Sequence, residues 1–147
     1  MTGFQGTVYF PADSTGTVAW PDSLTGAVVV FVNAEALNLL NPSFSQLARN
    51  ILGFTNPLDT SREDQPYFLE ALPDKPYLAG VIASTVPIGS LLGLPADSLA
   101  VHPEYFHVLG LHHSPGGSLP FKFIYVDQEE ITPGIDIHCD FNYRLSF

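Results

Sequence analysis

Ile135-Asp-Ile-His-Cys-Asp-Phe-Asn-Tyr-Arg-Leu-Ser-Phe147 alternates apolar and polar residues without a break. Ile135, Ile137, Cys139, Phe141, Tyr143, Leu145 and Phe147 fall on one face of an extended chain. Asp136, His138, Asp140, Asn142, Arg144 and Ser146 fall on the other. A strand turns successive side chains to opposite faces, so this period of two predicts a half-buried β-strand. It is far longer than the usual strand of about 5–6 residues. The apolar face predicts burial against a core, and the length would also let the strand extend beyond its own sheet to pair with a neighbouring chain; the sequence leaves pairing within or between chains open.

The regions upstream are also strand-like. Leading into the terminal segment, residues 105–112 and 119–126 read as strands joined by the turn signal Ser114-Pro-Gly-Gly-Ser118. With the terminal strand they form an expected C-terminal meander. A second meander is expected at the other end. Gly6-Thr-Val-Tyr-Phe-Pro11, Gly16-Thr-Val-Ala-Trp-Pro21 and Gly26-Ala-Val-Val-Val-Phe31 repeat every ten residues. Val and aromatic residues suit a pleated, half-buried surface, and Pro, Asp, Ser and Gly supply the turns. Strands at such regular spacing suggest an all-β meander. Residues 77–85 return to a strand pattern, 56–76 read as a loop with one helical turn near 67–72, and 88–100 have no assigned element.

One helix is predicted, over residues 42–52. Phe44, Leu47, Ala48, Ile51 and Leu52 recur at helical spacing, Asn41 caps with Pro42 behind it, and Gly53 suits the stop. A short turn of helix is expected just before, within residues 34–40. The expected fold is therefore mainly β: a single β-rich domain over residues 1–147, an antiparallel sandwich or barrel built from two meanders with one short amphipathic helix.

Composition narrows the function classes. Charged residues are only 14% of the chain, against roughly 25% in an average domain. A surface poor in charge and with 12% aromatic residues suits a subunit with large buried contacts. The net charge is −10, and Arg49, Arg62, Lys75, Lys122 and Arg144 are scattered. Nucleic-acid backbones and anionic membranes both require clustered cations, so neither is an expected partner. Cys139 is the only cysteine, which rules out an intrachain disulfide. The start, MTGFQGTVYF, has no basic n-region and no apolar h-region, and no apolar run approaches membrane-spanning length. A protein made and folded in the cytoplasm is expected.

Candidate chemistry is sparse. Asp136, His138 and Asp140 share a strand face, and imidazole with carboxylates can bind a divalent metal. A neighbouring strand could add His107 or His112. The competing reading is an ordinary solvated strand face, which is preferred because no close-spaced ligand motif supports the metal. Cys139 lies on the apolar face, where a thiol is an inert small hydrophobe. Glu129 and Glu130 fit a solvated turn, and no nucleophile elbow or phosphate loop occurs. Tyr67, Phe68, Tyr77, Tyr105 and Phe106 could stack on a sugar or peptide, but most are expected in the core.

No motif is specific enough to name a family, and no catalytic, cofactor-binding or metal residue is assigned. The expected function is a non-enzymatic structural subunit of a larger assembly, self or heterologous. A capsid-associated, decoration or tail protein of a virion or phage is the favoured class. The alternatives are a small β-barrel metal-binding protein or enzyme using His107, His112, His138 and Asp140, and a carbohydrate- or peptide-binding module.

Overall fold

The computed structural model describes residues 2–36, 46, 49–87, 105–113 and 121–142. Eight strands are found among them: β1 (Gly3–Tyr9), β2 (Gly26–Asn33), β3 (Ile51–Phe54), β4 (Asp64–Glu70), β5 (Tyr77–Ser84), β6 (Phe106–Leu111), β7 (Ile131–Thr132) and β8 (Ile137–His138). They form two sheets. The first has the order β4-β1-β7, with β8 on the same flank of β1 as β7. The second has the order β3-β2-β5-β6. Pairing is antiparallel except for β7 and β8, which run parallel to β1.

The two sheets face each other across one apolar core. Phe4 and Val8 of β1, and Tyr67 and Leu69 of β4, enter it from the first sheet. Val29 and Phe31 of β2, Tyr77 and Val81 of β5, and Leu109 of β6 enter it from the second. Phe4 meets Phe31 edge-on with centroids 5.5 Å apart, and Phe31 meets Tyr77 edge-on at 5.2 Å. These contacts tie the sheets together at the centre. An edge-to-face pair contributes about 0.5–1.5 kcal/mol beyond the area it buries.

The layering is that of a sandwich, and the sheets do not close into a barrel. The N-terminal repeat does not make a meander. β1 and β2 lie in different sheets, and residues 16–21 form no strand. Local side-chain bonds capture that middle unit. The Asp13 carboxylate accepts from the Thr15 and Thr17 amides and the Thr15 hydroxyl, and Gly16 takes φ +80°. Groups that bond locally are withdrawn from a ladder. Val18 and Trp20 still pack on the core, and the Trp20 indole donates to the Leu24 carbonyl at 2.6 Å.

Two further expectations need correction. Residues 64–70 are not a loop with a helical turn but the strand β4, with Gln65, Tyr67 and Leu69 buried. The Pro, Asp and Thr content of residues 56–76 suggests a loop, yet Pro66 does not interrupt the strand. It sits directly opposite Thr7, whose amide turns the other way to donate to Asp136. The N–H that proline lacks would have faced the open edge, where proline is tolerated. At the predicted helix, Gln46 and Arg49 are helical, but Ile51 and Leu52 belong to β3. Residues 42–45 and 47–48 lie outside the described residues. Ile51 and Leu52 fit the helical stripe, yet their pairing with β2 follows from Gly53. A Cβ there would stand 2.7 Å from the Phe31 ring, so only a bare backbone lets that ring close over it. The turn expected within 34–40 is a 3-10 turn over Ala34–Ala36, and its remainder lies outside the described residues, as do 88–100.

The C-terminal meander is also only partly formed. β6 falls within the expected strand over 105–112. Of residues 119–126, Ile124 makes an isolated bridge to Tyr77, and 119–120 lie outside the described residues. In the terminal segment, burial alternates as expected from Ile135 to Asn142. Only Ile137–His138 is a regular strand, residues 141–142 form a turn, and 143–147 lie outside the described residues.

Candidate interaction surface

The terminal segment joins the two sheets along one side of the sandwich. Its Ile135 and Cys139 amides donate to the Gln5 and Tyr9 carbonyls of β1 and its flank, at 3.0 and 2.8 Å. Its Asp140 amide donates to the Leu109 carbonyl of β6 at 2.8 Å. The register against β1 slips by one residue between β7 and β8, where Gly134 takes φ +76°. The slip leaves the Thr7 amide without a carbonyl opposite, and the Asp136 carboxylate accepts it at 2.9 Å. The seam is tight. A Cβ on Gly6 would lie 2.0 Å from the Ile135 carbonyl oxygen, and one on Gly110 would lie 2.5 Å from that of His138.

This arrangement places the residues that were candidates for chemistry. The ring N–H of His112 donates to the Asp136 carbonyl at 2.8 Å, and that of His107 to the Phe141 carbonyl at 3.2 Å. Both histidines thus hold the backbone of the terminal segment. Burial is the main influence on His112 and pushes its pKa below the usual imidazole value; Lys122 and His113 act in the same direction. His138 is exposed and stacks on Tyr9, with centroids 4.5 Å apart and planes 6° from parallel. The Asp140 carboxylate accepts from the Asn142 amide. Asp136, His138 and Asp140 share a face as expected, but each is engaged with a different partner. Among the described residues no group of three His, Cys, Asp or Glu side chains could hold a metal ion.

The cysteine and the aromatics are largely internal. Burial pushes the Cys139 thiol up to about 12, far from a reactive thiolate. Tyr67 and Tyr77 are core residues. The Tyr67 hydroxyl donates to the Ile135 carbonyl at 2.5 Å, and the Tyr77 hydroxyl donates to the Leu72 carbonyl. Phe106 packs on the outer face of the second sheet. Neither tyrosine can serve as a stacking platform.

That outer face is the unusual surface. Val28, Val30, Val32, Leu78 and Ile82 point away from the inter-sheet core, yet all are buried. Ile51, Val108, Phe121 and Phe123 pack around them, half-buried. A small apolar crevice of about 20 Å³ opens among Val30, Ile51, Leu78 and Val108. The apolar surface then runs out to β3, where Leu52 is 50% and Phe54 45% exposed.

No family model matches the chain, and comparison with curated proteins and with solved structures returned no match.

The sheet edges differ in how they are protected. β4 carries Pro66 between exposed Asp64 and Glu70. Proline and charge are common devices against unwanted strand pairing. The edges of β6 and β8 lie against each other and are joined through Asp140 and Leu109. β3 has no flanking strand on its far side among the described residues. Its sequence, Ile51-Leu-Gly-Phe54, contains neither proline nor charge, and its protection is instead its short length and the bulge at Leu52. Sequence reasoning missed Leu52 as a surface residue because helical spacing assigned it to a buried stripe. A usable signal was present: no acid or base occurs between Asn50 and Leu58. No helix among the described residues is long and apolar enough to cross a membrane.

Proposed function

We propose that this chain is a non-enzymatic structural subunit of a larger assembly and acts through protein–protein contacts. The observation that carries the reading is the second sheet. It is apolar on both faces, and it ends in an uncharged edge where Leu52 and Phe54 are exposed. The outer face is already covered by the chain's own side chains, so what supports the reading is the exposed apolar pair at its rim, because exposed apolar patches mark surfaces that meet other proteins. The low charge content supports the same reading. Within that class we place the protein as a virion component, capsid-associated, decoration or tail. That narrower step rests on analogy with the composition of such proteins and on no residue.

The rival readings have less to stand on. A His/Asp metal site would need His107, His112, His138 and Asp140 together. The first two are engaged with backbone carbonyls and the others point to separate partners. Of the aromatics named for a glycan platform, Tyr67 and Tyr77 are internal and Phe68, Tyr105 and Phe106 are half-buried, while the exposed Tyr125 is not grouped with them on one face. The test is mass in solution. Light scattering on the purified chain, and sedimentation of the tagged chain from cells that make it, should reveal a species heavier than one chain. A strict monomer in both measurements overturns the proposal.

A further inference from the structure

We draw no further inference here: the strongest candidate, the exposed apolar patch of Leu52 and Phe54 on the β3 edge of the second sheet, carries none because nothing in the structure shows what covers it.

Discussion

The first sheet is apolar on one face, whereas the second is apolar on both. In β1 and β4 the residues alternate: Phe4, Val8, Tyr67 and Leu69 face the core, while Gln5, Asp64 and Glu70 face solvent. In β2 and β5 no alternation survives, and nearly every residue is buried. Antiparallel sheets commonly keep one face wet, so a two-faced apolar sheet requires a cover on its outer side. Part of that cover is Phe121 and Phe123. The difference teaches where this molecule is able to meet others. The sheet with a solvated face is complete in itself, and the sheet without one extends its apolar surface to an open edge.

Substitutions on matched positions can break this comparison. The largest effect is expected at the shared core. Phe31→Ala, which removes the ring that meets both Phe4 and Tyr77, should cost about 3–5 kcal/mol in urea unfolding. Leu78→Ala, on the outer face of the second sheet, should cost about 2–5 kcal/mol because that side chain is 2% exposed. The equivalent change on the outer face of the first sheet, Gln5→Ala, should stay within about 0.5 kcal/mol. If Leu78→Ala proves as mild as Gln5→Ala, the second sheet is not apolar on both sides in the working protein. Gly6→Ala probes the seam between them. Its Cβ would meet the Ile135 carbonyl, and backbone cannot give way cheaply, so about 3 kcal/mol or more should be lost.

Acid should loosen the same seam. The pKa of His112 in the fold lies below its ordinary value near 6.5, chiefly through burial, so the unfolded chain binds the proton more readily. The corresponding stability is present above about pH 6.5 and declines as pH falls below it. Melting temperatures from pH 7.5 to 5 should therefore drop, and His112→Gln should flatten that part of the profile. The smallest effect on stability is expected for Leu52→Lys. A half-exposed edge residue should change unfolding by no more than about 0.5 kcal/mol. A large stability loss there would mean that β3 is internal and that the contrast between the two edges fails.

Much of the candidate surface was not legible in the sequence. Leu52 was assigned to a helix because Phe44, Leu47, Ala48, Ile51 and Leu52 satisfy helical spacing, and a short apolar run serves either period. What settles the matter is the Phe31 ring resting on Gly53, a contact between residues far apart in sequence. β4 was hidden by the Pro, Asp and Thr content of residues 56–76, and its Pro66 is harmless only because its position is on an edge. The N-terminal repeat was legible as a pattern but misleading as topology. Equal spacing says that strands recur, and nothing in it says which sheet each joins.

By itself the sequence determined the β class, the burial alternation from Ile135 to Asn142, the buried Cys139 and the absence of any cation cluster. These follow from local periodicity and composition, which each segment carries wherever it packs. Only the tertiary structure decided that the terminal segment joins two sheets, that His107 and His112 hold its carbonyls, and that Leu52 and Phe54 stand exposed on β3. Those outcomes depend on which strands become neighbours. That choice is made by the global burial of Phe4, Phe31 and Tyr77 around one core, rather than by the preference of any single segment.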